Sequence, residues 1–239
     1  MRRLAAAGPL ILALAASGCS HAMHITNLHE YQPVPTPPLN PPRKVGVTSR
    51  NVADATTRGY VDAVAEGLRR DASYDRVLYP YDGSADVDLV LDLSVTPRYS
   101  GKGSNFLVNW PGFLIFAPAI WGYGYEAAVD TQVSIRTRDG AAQSFAIPTR
   151  WQFRQAEIDR TWTEIGWFEV GIIPLIGGVA FTRYDTDVTP EFVARVGPNY
   201  GTYVAQRIRE VIAASGGAAP VAPVVPAAQQ APGEVVPRS

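Results

Sequence analysis

The clearest periodicity in the chain lies at residues 87–95, where Val87, Leu89, Leu91, Leu93 and Val95 alternate with Asp86, Asp88, Asp92, Ser94 and Thr96. An alternation of period two is that of a strand with one face buried and the other wet. The same pattern returns in Val129, Thr131, Val133, Ile135 and Thr137, and Asp139-Gly140 then predicts a tight turn into a strand carrying Phe145, Ile147 and Trp151. Earlier, Val45 and Val47 mark a short strand, with Ser49 and Asn51 as caps for a helix running to about Arg70. Val52, Ala55, Tyr60, Val64 and Leu68 line one face of that helix, while Gly59 and Gly67 within it imply close packing. Arg76–Tyr79 reads as a brief strand. Thr189-Pro190-Glu191 starts a helix that Pro198 should interrupt. Beyond the break, Tyr200, Tyr203, Val204, Ile208, Val211 and Ile212 share a face, and Gly216-Gly217 ends the helix. The expected fold is α+β: a mainly antiparallel, meandering sheet with two or three helices on one face.

Two apolar stretches exceed what such a fold requires. Between Lys102 and Glu126 there is no charge, and Phe106, Trp110, Phe113, Phe116 and Trp121 fall within that stretch. Ile165–Phe181 includes Trp167 and Phe168 around a lone Glu169. Pro111, Pro118 and Pro174, with several glycines, would break a membrane-spanning helix in either. Three arrangements fit: hairpins or lids over the helix-free face of the sheet, aromatic surfaces for a membrane or a protein partner, or hairpins contributed to a multi-subunit barrel.

The ends have a different composition. Met1-Arg2-Arg3 precedes an apolar run, Leu4–Ala16, of thirteen residues, shorter than the roughly 20 needed to cross a bilayer. This is the form of a secretory signal. Residues 19–42 are rich in proline and hold all three histidines, His21, His24 and His29, and read as a tether without metal-binding geometry. Residues 215–239 read as a disordered Ala/Pro-rich tail, leaving 43–214 as a single domain.

Ala16-Ser17-Gly18-Cys19 resembles the lipobox of bacterial lipoproteins, with alanine where leucine is commonest. That resemblance implies removal of residues 1–18, a diacylglyceryl thioether and an N-acyl chain on Cys19 and no other cofactor. Ser20 beside the cysteine implies residence at the periplasmic face of the outer membrane. A cut after Ser20-His21-Ala22 is the rival processing site. The element order of residues 43–214 is similar to that of periplasmic α/β lipoproteins related to the curli-secretion protein CsgG, the TolB amino-terminal domain and the polysaccharide-export lipoprotein PelC. The likeness implies a non-enzymatic role in envelope assembly or export among envelope proteins, with a homo-oligomer as one form of it.

The scarce residues narrow the chemistry. The 239 residues contain one cysteine and three histidines, all before Tyr31, so the body of the protein lacks Ser-His-Asp and Cys-His catalysis and thiolate or imidazole zinc sites. Twenty-one basic residues against 22 acidic ones leave nothing for gripping nucleic acid. Gly101-Lys102-Gly103-Ser104 lacks the spacing of a phosphate loop. Asp86 and Asp88, about 7 Å apart along a strand, admit a cell-wall glycan-modifying enzyme, although pairing with Arg136 and Arg138 accounts for the same residues. Arg150, Arg154 and Arg160 are candidates for a polar ligand such as an acidic headgroup. A lipid-binding carrier, with the aromatic stretches lining a cavity, is the further alternative. The leading expectation is a lipid-anchored, non-enzymatic envelope scaffold.

Overall fold

The computed structural model describes residues 22–52, 54–105, 108, 122–138, 140–156 and 182–215. The sequence alternation becomes three long strands: β4 (Leu89–Gly101), β5 (Tyr123–Thr137) and β6 (Ala142–Ala156). They form the expected antiparallel meander, with Leu91 opposite Ile135 and Tyr125 opposite Phe153. Around it lie β1 (Ala22–Ile25), β2 (Arg43–Ser49) and β3 (Tyr74–Leu78), giving the sheet order β1-β6-β5-β4-β2-β3. The sheet as a whole is mixed, because β2 pairs in parallel with both β3 and β4. A parallel neighbour needs a crossover, and α1 (Ala55–Arg70) supplies it between β2 and β3.

Two α-helices, α1 and α2 (Thr189–Ser215), occur among the described residues. Tyr60, Val64 and Leu68 of α1 and Phe192, Tyr200 and Val204 of α2 are fully buried. The helix backbones meet at a glycine pair. A Cβ on Gly201 would fall on the backbone of Ala63, and one on Gly67 on the backbone of Gly201. Proline does not end α2 as expected: Pro198 lies inside it, and Thr202 Oγ1 donates to the Pro198 carbonyl at 2.9 Å. Val196, Tyr200, Val204 and Ile208, on both sides of the proline, are fully buried. Burial of such side chains, at roughly 1.5–3 kcal/mol each, outweighs an interior proline cost of about 3 kcal/mol.

The cap of α1 also differs from expectation. Asp54 fills it, accepting from Thr57 N at 2.8 Å and Thr57 Oγ1 at 2.7 Å. Asn51 instead bonds Val95 on both sides, donating to its carbonyl at 2.7 Å and accepting from its N–H at 3.2 Å.

The proline-rich segment is part of the fold rather than a tether. β1 extends the sheet, and Tyr31, in a 3-10 turn at Leu28–Tyr31, is buried between Trp151 and Tyr203. Its hydroxyl donates to Arg150 O at 2.9 Å and accepts from Arg150 N at 2.7 Å, occupying the ladder positions beyond the end of β1. Farther along, Val34 N donates to Gln206 Oε1 and Leu39 N to Ser73 Oγ. Residues with no donor of their own at the prolines are thus strapped down by side chains of α2 and the α1–β3 link. Residues 216–239, the expected tail, lie outside the described residues.

Candidate functional site

At the β2/β4 end of the sheet the candidate carboxylates are consumed by structure. Asp86 pairs with Arg138, as the sequence suggested. Asp88 accepts from Lys44 N at 2.7 Å. Asp92 alone lies within β4, 8% exposed, and is held by Arg50 and by Thr48 Oγ1 at 3.3 Å. The three therefore have different partners and form no open acid/base pair. Arg136 is exposed beside them without forming the expected pair. Among the described residues no group of three or more His, Cys, Asp or Glu side chains could hold a metal.

The opposite end is built differently. β4 finishes at Gly101, β5 begins at Tyr123 and β6 finishes at Ala156, with Gly101 opposite Tyr125, Tyr123 opposite Gln155, and Ala22 opposite Ala156. The described residues that flank both apolar stretches and follow the amino-terminal segment thus meet at this one end, and Val108, within the first stretch, packs against the core. The root of the first is clamped by Asn105, fully buried, whose side chain accepts from Gly124 N at 2.7 Å and donates to Gly124 O at 2.9 Å. The amide thereby continues the β4–β5 ladder past Lys102, whose N–H donates to the same carbonyl at 2.9 Å. Gly122, where the stretch returns, has φ +67°, and a Cβ there would lie 2.8 Å from Gln155 O. The return of the second stretch presses on Gly101, where a Cβ would meet the Thr182 backbone.

Beneath these roots lies an aromatic base. Tyr184 stacks on Tyr99 with ring centres 4.8 Å apart and meets Tyr125 edge-on at 5.3 Å, while Phe153 stacks on Phe192 at 4.3 Å. The polar tips are satisfied internally: Tyr60 and Tyr99 share a hydrogen bond at 2.9 Å, Thr131 and Tyr200 one at 2.6 Å, and Tyr184 and Thr189 one at 2.8 Å. Burial raises the phenol ionisation of Tyr60, Tyr99 and Tyr200, so all three stay neutral well above their ordinary range.

Beside the roots, a cleft of about 270 Å³ is lined by Thr26, Lys102, Ser104, Gln152 and Arg154 among others. Lys102 Nζ is engaged there by Gln152 Oε1 at 3.0 Å and Glu126 at 3.4 Å. Arg154 and Arg150 stand exposed on the outer face of β6, and neither guanidinium has an ion-pair partner among the described residues. The outer face also presents Arg98, Glu126, Gln132 and Gln152. Cys19, Phe106, Trp110, Phe113, Phe116, Trp121, Arg160, Trp167 and Phe168 lie outside the described residues.

No protein-family model and no curated protein matches the sequence. Solved structures that align with it include two lipoproteins. Rare lipoprotein B from Shewanella oneidensis does so with a TM-score of 0.37 and 15% identity, over 72% of this chain and 96% of that one. A minor lipoprotein from Acinetobacter baumannii gives a TM-score of 0.33 and 14% identity, over 72% and 94%.

The sequence reading missed Asn105, Gly122 and Tyr184, the residues that shape the roots. Each had a local signal: the last amide before an apolar run, a glycine directly before a strand, and an aromatic directly after the second run.

Proposed function

We propose that the protein is a lipid-anchored envelope protein, held at the periplasmic face of the outer membrane through Cys19, that acts by contact rather than by catalysis. One observation carries this reading: β1 begins at Ala22, three residues after Cys19, and is paired with β6. Two residues, Ser20 and His21, separate the attachment residue from the paired strand. The pairing of Asp86, Asp88 and Asp92 with separate structural partners supports a contact role over glycan hydrolysis. The partner is an envelope protein or a second copy of the chain, in assembly or export.

Mass measurement of the amino-terminal peptide of protein extracted from membranes tests the anchor. A triacylated cysteine at position 19 is expected, and Cys19→Ala should release the protein from the membrane fraction. An amino terminus at Met23, with no lipid, would contradict it. Light scattering of the extracted protein then separates a closed multimer from a single tethered domain.

A further inference from the structure

Strand register builds the cleft beside Lys102. Gly124 of β5 lies directly opposite Arg154 of β6, and on its other side Lys102, the residue after β4, donates its N–H to Gly124 O at 2.9 Å. Gly124 is buried and forms the floor between two basic side chains. A Cβ there would come within 3.2 Å of Lys102 Cδ and 3.4 Å of Asn105 Oδ1, so only glycine leaves the floor open. Four residues farther along β5, Ala128 also lies between basic residues, Arg98 and Arg150, but its methyl group covers the floor and Arg98 is engaged by Asp130.

The walls of the cleft are set in advance. Lys102 Nζ is held by Gln152 Oε1 at 3.0 Å and by Glu126 at 3.4 Å, and the buried Asn105 amide fixes Gly124. Walls ordered before binding spare a ligand that part of the cost. The opposite wall is Arg154, exposed and without an ion-pair partner among the described residues. Gln152 spends its amide oxygen on Lys102 and keeps its N–H groups, while the hydroxyls of Thr26 and Ser104 have no partner among the described residues. Two positive charges, Lys102 and Arg154, against one negative charge, Glu126, leave the cleft at +1.

We infer that this cleft binds a sugar acid, with its carboxylate on Arg154 beside Lys102 and its ring hydroxyls on Gln152, Thr26 and Ser104. A free guanidinium fork matches the two oxygens of a carboxylate, and a single charge matches the cleft. A phosphate ester, at about −1.5 to −2, would exceed it. The volume of about 270 Å³ is near the lower end of ligand sites, roughly 300 Å³, and suits one ring. The site adds a ligand to the contact role proposed above. It is independent of attachment at Cys19 and is built from described residues alone.

Isothermal titration of the purified full chain in detergent with glucuronate, glucose and inorganic phosphate provides the test. One glucuronate per chain is expected, with glucose and phosphate each bound at least about tenfold more weakly. Arg154→Gln should weaken glucuronate about tenfold or more, Arg154→Lys by less, and Arg150→Gln, four positions away on the same face, not at all. Gly124→Ala should also weaken it; where that buried variant fails to fold, the exposed Arg154 decides. Absence of saturable glucuronate binding would overturn the inference, as would undiminished binding by Arg154→Gln. Equal affinity for glucose or tighter binding of phosphate would overturn the choice of a sugar acid. Equal losses in Arg154→Gln and Arg150→Gln would overturn the cleft as the site. None of these outcomes bears on the Cys19 reading, which the amino-terminal mass decides.

Discussion

Strand β6 contains two phenylalanines on the same face, and they meet opposite conditions. Phe153, near the end where the chain makes its apolar excursions, is 1% exposed and stacked on Phe192. Phe145, near the end closed by the Gly140 turn, is only partly buried, and its neighbours Ser144 and Ala146 are exposed. At the turn, local bonds suffice: Thr137 N donates to Ala141 O at 3.0 Å and Gly140 N to Thr137 O at 3.1 Å. At the other end the residues flanking the apolar stretches are fixed by tertiary packing of aromatics and by the Asn105 amide. A short polar link carries its own constraint, whereas a long apolar one needs a built foundation.

The difference can be broken most strongly at high pH. Tyr60, Tyr99 and Tyr200 have folded-state ionisation raised by burial, so their contribution is complete below the unfolded phenol value near pH 10 and is lost as pH rises above it. Stability should fall by about 1.4 kcal/mol per pH unit for each of them. Urea midpoints across that window measure the slope, and Tyr200→Phe should reduce it by one proton.

Next in size, Phe153→Ala should cost about 3–5 kcal/mol, while Phe145→Ala, on the same strand, should cost about 1 kcal/mol. Equal losses in chemical denaturation would erase the contrast between the ends. Two glycines sharpen it further. Gly122→Ala combines a positive φ with the approach to Gln155 O and should cost about 3 kcal/mol; Gly140→Ala, at φ +82° in open space, should cost about 1 kcal/mol.

Smaller effects belong to sites that serve neither end. Asp54→Ala removes the cap of α1 at about 1 kcal/mol. Hydrogen bonds from Thr57 hold the Asp54 carboxyl below its usual range, so its contribution is present above about pH 4 and is lost on further acidification. Asp54→Asn should keep the cap and flatten that acid limb. Smallest of all, Arg138→Ala breaks an exposed pair with Asp86 and should move the midpoint by less than about 0.5 kcal/mol.

The long strands were readable because alternating burial leaves a period-two trace, and Val45, Leu91, Val133 and Trp151 all lie in the buried set that it marked. The parallel placement of β2 was not, since Val45 and Val47 look the same whichever way the neighbours run. Pro198 misled because a local rule was outweighed by burial on both sides of it, and the prolines of residues 33–42 because their composition hides the anchoring provided by Tyr31, Gln206 and Ser73. For the site, the sequence identified the two apolar stretches and the pairing of Asp86 with Arg138. That both stretches begin at one end follows from the antiparallel run of β4, β5 and β6 that the alternation marked, whereas the placement of β1 beside them, through a pairing of Ala22 with Ala156 more than a hundred positions away, left no trace in the sequence.

Depth measurement on vesicle-bound protein tests the proposed attachment at Cys19 directly. Cys19 is the chain's one cysteine, and a thioether there would leave an engineered cysteine as the sole thiol for a spin label. Labels at Arg154→Cys and Arg136→Cys, read against lipid-soluble and water-soluble relaxation agents, should place position 154 at the headgroups and position 136 in bulk water. Equal accessibility at both positions, or position 136 at the lipid, would contradict attachment through Cys19 beside the Ala22 end of the sheet.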